Sequence, residues 1–163
     1  MTTLEEARTF VREGLEKGVT CLCCGQHAQR YSRKLDSLMA RGLVRMYAWF
    51  RENPGERWMH VERALKPDPL SPGGIGRQVA TLKYWGLVVL KKDEEPDDAP
   101  VRGLYRITEK GERFVRGEIS VPRSIFVYND TFYGFDGQEH TDIRKALTDS
   151  FSYEELMCTA AVN

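Results

Sequence analysis

Three cysteines and one histidine, all with side chains that bind metals, lie close together near the start of the chain. They are Cys21, Cys23, Cys24 and His27. Zn²⁺ in proteins is bound by thiolate sulfur and imidazole nitrogen, and the spacing of Cys21, Cys24 and His27 would let a tight turn hold the ion. A structural zinc site takes four ligands, and the sequence has no second CxxC or HxxxH pair to complete it. Two other interpretations of these cysteines therefore stay open: thiols buried under the following element, and a redox or catalytic thiol. Zinc is the only cofactor that the sequence suggests.

Sequence motifs typical of enzymes are missing elsewhere in the chain. There is no GxSxG, no phosphate-binding GxxxxGK and no HExxH. The carboxylates of Asp142, Glu154 and Glu155 fall in a terminal segment of mixed charge, which is typical of a solvated helix face. We therefore expect no enzymatic activity.

The bulk composition is that of a folded protein of one domain with a short appendage. The chain has 163 residues, of which 41% are hydrophobic and 29% are charged. Its 24 Lys and Arg residues balance 24 Asp and Glu residues, so nucleic-acid binding would need a local basic patch. No apolar run approaches the roughly 20 residues that span a membrane, and the start lacks the pattern of an export signal. Because the four cysteines are poorly placed for disulfides, we expect a reducing compartment, the cytoplasm.

The first half of the chain predicts helices with one short strand. Thr3 can cap a first helix with Glu6 three positions on. Apolar residues then recur at steps of three and four from Ala28 to Trp49, which predicts one long helix that ends near Asn53. Residues 58–65 predict a strand followed by a short helix. Nine Lys or Arg residues face four acids between His27 and Lys66, which makes a modest basic patch.

The middle of the chain predicts a helix, a strand, a loop and a second strand. A turn rich in proline and glycine, Pro67 to Gly76, precedes the helical stripe of Ile75, Val79, Leu82 and Trp85, which Gly86 can end. The predicted elements that follow are a strand at Leu87–Leu90, an exposed acidic loop at Asp93–Pro100, a strand at Leu104–Ile107 and a helix capped by Thr108 that runs to Phe114.

The end of the chain predicts a β-hairpin and a helix. Residues 125–128 and 132–135 alternate as strands around the turn residues Asn129 and Asp130. A final helix is predicted from Asp142 to Met157. Because an isolated hairpin is marginally stable, its aromatic residues must pack on the rest of the protein or on a partner. We expect a first domain at 1–118 and a hairpin and helix packed on it at 119–163.

Thirteen residues of the middle segment form a pattern that resembles a known family. The pattern is similar to the LxxxGLI and YxITxKG signature of winged helix-turn-helix proteins of the multiple-antibiotic and phenolic-acid repressor type. It implies an α+β fold, mainly helical, in which a winged helix-turn-helix carries an N-terminal helical extension and a C-terminal β-hairpin plus helix. The matching residues are Leu82, Trp85, Gly86, Leu87, Val88, Gly103, Tyr105, Arg106, Ile107, Thr108, Lys110, Gly111 and Phe114.

The cysteine segment carries a second resemblance. Cys21 to Leu35 is similar to a segment of small uncharacterised phage-encoded proteins, in which a CPxC-type turn precedes a basic helix. Leu22 stands where that pattern has proline. This resemblance suggests a viral origin and implies no activity.

The winged-helix resemblance implies that the chain binds double-stranded DNA. The helix before Gly86 would enter the major groove, where Arg reads guanine and Gln reads adenine, while other cations hold phosphates. An ordinary solvated helix face is the alternative interpretation of the same residues. The residues assigned to the groove are Arg77, Gln78, Thr81, Lys83 and Tyr84, and those assigned to phosphates are Lys91, Lys92 and Arg102.

The acidic loop argues against DNA binding. Five of the six residues from Asp93 to Asp98 are acidic, at the place where many winged-helix proteins carry cations. We therefore weigh two functions. The first is a DNA-binding transcriptional regulator of phage or mobile-element type. The alternative is a winged-helix protein-protein interaction module, an adaptor or inhibitor of a host protein, whose partner is another protein or a second copy. Neither function needs a membrane.

Overall fold

The fold was obtained as a computed structural model, which describes residues 1–65, 74–96 and 102–161, with side chains to Cys158. It combines helices with several small antiparallel sheets, so the predicted α+β class is confirmed. The predicted turn at Pro67–Gly73 and the acidic-loop residues 97–100 lie outside the described residues.

The helices and strands follow one another along the whole chain. Residues 82–85 and 148–150 add short 3₁₀ helices. The helices are α1 Leu4–Gly14, α2 Ser37–Glu52, α3 Val61–Ala64, α4 Gly76–Thr81, α5 Lys91–Glu94, α6 Glu109–Val115, α7 Ile143–Leu147 and α8 Tyr153–Ala161. The strands are β1 Val19–Thr20, β2 His27–Ala28, β3 Tyr31–Lys34, β4 Met59–His60, β5 Val88–Leu90, β6 Leu104–Ile107, β7 Val121–Pro122, β8 Ser124–Tyr128, β9 Thr131–Phe135 and β10 His140–Thr141.

Contacts between Cα atoms divide the chain into two compact units. Unit 1 contains residues 1–34 and 124–138, and unit 2 contains residues 35–123 and 139–163. This grouping differs from the division at residue 118 that we expected, because the C-terminal hairpin groups with the N-terminal segment.

Unit 1 contains α1, the short β1–β2 ladder and a three-stranded sheet in the order β3-β8-β9. The capping box that the sequence predicts at Thr3 and Glu6 is present at the start of α1. The predicted hairpin is also confirmed, with positive φ angles of 47° and 56° at Asn129 and Asp130. Two consecutive residues with positive φ form the turn whose twist matches that of the paired strands.

The segment before α2 is extended, so the prediction of a continuous helix from Ala28 is wrong there. Tyr31–Lys34 pairs antiparallel with Ser124–Tyr128, and this pairing satisfies backbone groups that a helix would have satisfied internally. The helix begins only after Asp36, whose carboxylate accepts a hydrogen bond from the Met39 backbone N–H at 2.9 Å.

Unit 2 is built around α2. Met39, Leu43 and Met46 on this helix are fully buried, and α2 packs against α4, α6, α7 and α8. A second three-stranded sheet lies in the same unit in the order β4-β6-β5, with Val88 opposite Ile107 and Met59 opposite Tyr105. The predicted strand and short helix over residues 58–65 are confirmed as β4 and α3.

The predicted last helix is interrupted. Asp142 caps α7, in agreement with the predicted start of the helix at this residue, but the helix ends at Leu147. Thr148 has a positive φ of 58°, which starts a 3₁₀ turn before α8 begins at Tyr153. The Tyr153 hydroxyl donates to the Val115 carbonyl oxygen at 2.8 Å, which fixes the start of α8 against the end of α6. Within the described ranges, no helix is long and apolar enough to cross a membrane.

Candidate nucleic-acid interface

The candidate interface is centred on the helical stretch from Gly76 to Trp85, which is α4 followed directly by a 3₁₀ turn. Val79, Leu82 and Trp85 are buried on one side of it, as the sequence predicts. Gly86 ends the stretch with a φ of 72°, a left-handed conformation that glycine adopts without strain. One side of this helix is therefore fixed in the core and the other side faces outward.

Glu62 of α3 holds the start of α4. Its Oε1 accepts a hydrogen bond from the Gly76 backbone N–H at 2.6 Å, so a carboxylate satisfies an unpaired donor at the positive end of the helix. A Cβ on Gly74 would lie 2.7 Å from the same oxygen, and one on Gly76 would overlap it. The sequence predicted none of this, because Glu62 is 14 residues before Gly76 and no local pattern joins them.

Side chains from the segment after β6 hold the other end of the stretch. The Thr108 hydroxyl donates to the Gly86 carbonyl at 2.6 Å, and the Lys110 ammonium donates to the Trp85 carbonyl at 2.8 Å. Thr108 also caps α6, as predicted, by accepting a hydrogen bond from the Gly111 N–H. A Cβ on Gly111 would overlap the Leu87 carbonyl oxygen, so the glycine lets α6 pack closely against that residue.

The residues assigned to the major groove are only partly on the outward side. Arg77 is exposed, and Lys83 and Tyr84 are half-buried, with the Lys83 ammonium 5.3 Å from the Tyr84 ring centroid. Thr81 is a correction, since it is buried to 8% exposure and its hydroxyl donates to the Arg77 carbonyl within the helix. Gln78 is half-buried, and its Oε1 is buried without a hydrogen-bond partner among the residues that the structure describes. Of the groove residues, Arg77, Lys83 and Tyr84 are thus the ones in a position to contact a ligand.

The residues assigned to phosphates differ in exposure. Lys92 and Arg102 are exposed, whereas Lys91 is half-buried with its ammonium 3.9 Å from a Glu95 carboxylate oxygen. Both lysines and the acids Asp93 and Glu94 form α5, so the prediction that the exposed loop begins at Asp93 is wrong for its first two residues.

Arginine side chains pair with the acids of this region. Arg106 on β6 donates two hydrogen bonds to the Glu94 carboxylate, at 2.8 and 2.7 Å. Arg57 lies 3.9 Å from Glu94 and 3.6 Å from Glu95. The hydrogen bond from Arg106 lowers the pKa of Glu94 below its usual value, and the same bond raises the pKa of Arg106.

The described part of this region carries an excess of positive charge. Residues 57–65, 74–96 and 102–106 contain eight Lys or Arg and four Asp or Glu. The guanidinium groups of Arg57 and Arg106 also lie 5.7 and 5.8 Å from the Trp58 ring centroid, so both cations are held close to this ring. Glu94 and Glu95, which pair with these arginines, therefore do not present unpaired negative charges to solvent.

The cysteine turn, Cys21–Cys24, is exposed in unit 1. Cys23 and Cys24 are exposed and Cys21 is half-buried, which argues against thiols buried beneath a helix. Hydrogen bonds from the backbone N–H groups of Cys24 and Cys23, and from the Cys24 thiol, lower the pKa of Cys21. The His27 ring instead faces Gln29, with Nε2 3.5 Å from the Gln29 amide oxygen. The described residues include no group of three or more His, Cys, Asp and Glu placed to hold one metal ion, so the predicted trio Cys21, Cys24 and His27 is not assembled.

Comparisons with known proteins identify no relative. No protein-family model, no curated protein and no solved structure matches this chain.

Proposed function

We propose that residues 37–115 form a winged helix-turn-helix and that the chain binds double-stranded DNA, as a transcriptional regulator of phage or mobile-element type. The observation that carries the proposal is the order of elements in unit 2, α2-β4-α3-α4-β5-α5-β6, with the strands paired as β4-β6-β5. This order places a helix with an outward cationic side directly before a hairpin, which is the arrangement that reads DNA in winged-helix proteins.

The charges of the same region support DNA as the ligand. Arg77 is the exposed cation on α4 and is assigned to a base edge, where its two parallel donors match guanine. Lys92 and Arg102, which are exposed on the hairpin side, are assigned to phosphates. Arg57, Lys91 and Arg106 offset Glu94 and Glu95, so the acids that the sequence placed against the duplex are partly neutralised. We propose the cytoplasm as the compartment, because its reducing conditions keep cysteines as the free thiols described here.

A binding experiment with duplex DNA tests the proposal. Fluorescence anisotropy with a labelled random-sequence duplex, followed by selection of bound sequences, is run at several salt concentrations. Each phosphate contact contributes about −0.9 to the slope of log K against log salt concentration. We expect Lys92→Ala to reduce that slope by about one contact. We expect Arg77→Ala to relax the selected sequence at one position, at a cost of about 1–3 kcal/mol.

Lys17→Ala is the matched control, because Lys17 is an exposed cation in unit 1. We expect this variant to bind DNA as the unchanged protein does. Absence of salt-dependent duplex binding, or an equal loss with Lys17→Ala, would contradict the proposal and would favour the alternative of a winged-helix module that binds a protein.

A further inference from the structure

The cysteine turn is held as a rigid loop between β1 and β2. The Cys21 N–H donates to the Gln26 carbonyl at 2.8 Å, and the Gly25 N–H donates to the Cys21 carbonyl at 2.9 Å. Gly25 has a φ of 71°, which lets the chain reverse directly after Cys24. The flanking strands pair as Thr20 with His27 and Val19 with Ala28. The positions of the two outer cysteines are therefore fixed by the backbone.

Cys21 and Cys24 line the same cavity, as two ligands of one ion would. The backbone N–H groups of Cys24 and Cys23 and the Cys24 thiol lower the pKa of the Cys21 thiol, which favours the thiolate form that binds metals. Two thiolates bound tetrahedrally to one Zn²⁺ at about 2.3 Å lie about 3.7 Å apart. Backbone N–H donors near a sulfur stabilise the charge of a metal-bound thiolate.

The turn supplies only half of a four-ligand zinc site. In the part of the chain that the structure describes, no third metal-binding side chain joins the two sulfurs, and the His27 ring packs toward Gly18 and Gln29. A structural zinc ion needs four ligands. A second copy of this chain offers an identical pair of thiolates, which would complete the set around a two-fold axis.

The surroundings of the turn leave room for a second copy. Cys24 is exposed, and both sulfur-bearing residues border a cavity of about 300 Å³ beside α1. Leu22, between the two cysteines, is 56% exposed. Pairing of two such turns would remove this leucine from water, which favours association.

We propose that Cys21 and Cys24 from two copies of this chain hold one Zn²⁺ between them in a Cys₄ site. Each thiol that binds the metal releases its proton to solvent, so acid weakens the site. This site lies in unit 1 and does not depend on DNA binding by unit 2.

Metal titration combined with a mass measurement tests the proposal. The full chain is reduced, freed of metal and titrated with Co²⁺, whose thiolate absorption bands report coordination, and then with Zn²⁺. We expect saturation at one ion per two chains. Light scattering should show the mass rise twofold from the 18.7 kDa of one chain.

Variants of single residues assign the ligands. Cys21→Ser and Cys24→Ser should each abolish the absorption bands and the mass increase, while Cys23→Ser and Cys158→Ser should retain both. Leu22→Asp keeps all four sulfur atoms of the site but places charge at the contact, so it should weaken the dimer. Far-UV circular dichroism of each metal-free variant checks that it is folded.

Three results would overturn the proposal. One is saturation at one ion per chain without a change of mass, which would mean a site within a single chain. Another is loss of binding in Cys23→Ser with retention in Cys21→Ser. The third is no metal binding by the folded, reduced protein. None of these results affects the duplex-binding experiment, so the two proposals fail separately.

Discussion

At Gly111 the α6 helix passes so close to the start of β5 that a methyl group has no space. The atom in the way is a backbone oxygen, that of Leu87, and the Ile107 side chain lies 2.8 Å from the same Cβ position. A backbone oxygen cannot rotate away as a side chain can. The strand, the helix or both must therefore shift to accept any larger residue.

We expect Gly111→Ala to lower the free energy of unfolding by about 1–3 kcal/mol, measured by urea denaturation. Alanine favours helix by up to about 1 kcal/mol over glycine, but that gain is smaller than the cost of the overlap. Gly55→Ala is the control, because a Cβ on Gly55 would meet no atom of the described residues within 4 Å. We expect the control to change stability by less than about 0.5 kcal/mol, and an equal effect of both substitutions would contradict the packing argument.

Single residues with a local role were the easiest to predict from the sequence. Thr3, Gly86 and Thr108 each act on neighbours within a few positions, so their spacing alone indicates a helix cap or a helix end. Glu62 acts on a backbone 14 residues away, and the burial of Thr81 depends on how α4 is rotated against the core. Neither effect has a signature in the order of residues.

Among the elements, the helix α5 and the strand β6 are joined by the ion pair of Glu94 with Arg106. The two hydrogen bonds between them lower the pKa of Glu94 relative to an unpaired carboxyl of about 4.3. A carboxyl whose pKa is lowered by folding stabilises the folded state above its ordinary pKa. That stabilisation is lost as the pH falls through the lowered value.

We expect Glu94→Gln to lower the melting temperature near neutral pH and to matter less in acid. The difference from the unchanged protein should shrink as the pH falls below the ordinary carboxyl pKa of about 4.3 and through the lowered pKa of Glu94. Calorimetry from pH 7 to 3 measures the difference. The exposed Glu56, changed to Gln, should show no such trend. A difference that is constant with pH would mean that the carboxylate charge is not the cause.

Long-range pairing explains where the element predictions failed. Residues 28–35 have apolar side chains at helical steps, yet Tyr31–Lys34 is a strand because it pairs with β8. Since β8 lies about 90 residues further along the chain, no local pattern indicates this pairing. The sequence predicted the β8–β9 hairpin correctly, since its two strands are joined by a short turn. The break at Thr148 divides a helix whose periodicity is continuous, and its positive φ has no local sequence signal.

At the scale of the whole molecule, unit 1 is discontinuous in sequence. Residues 35–123, which belong to unit 2, lie between its two segments, 1–34 and 124–138. Its central strand β8 pairs with β3 on one side and β9 on the other. Removing β3 would leave a two-stranded hairpin, which is marginally stable in water. Unit 2 contains its own core around α2.

We expect a chain that begins at Leu35 to keep unit 2 folded and to lose the hairpin. Hydrogen exchange should show slow amides in α2 and fast amides in residues 124–135. A chain that begins at Leu15 retains β3 and should keep the hairpin amides slow. Fast exchange throughout the shorter chain would show that unit 2 cannot fold without unit 1.

The contact of Glu62 with Gly74 and Gly76 has a consequence for how this chain can change in evolution. A carboxylate occupies the space in which either glycine would carry a side chain. A methyl group at position 76 would push the Glu62 carboxylate away from the Gly76 N–H, and loss of Glu62 would leave the same N–H without its acceptor. Substitutions at the three positions are therefore coupled. In diverging descendants the three residues should be replaced together or kept together, although up to 14 residues separate them.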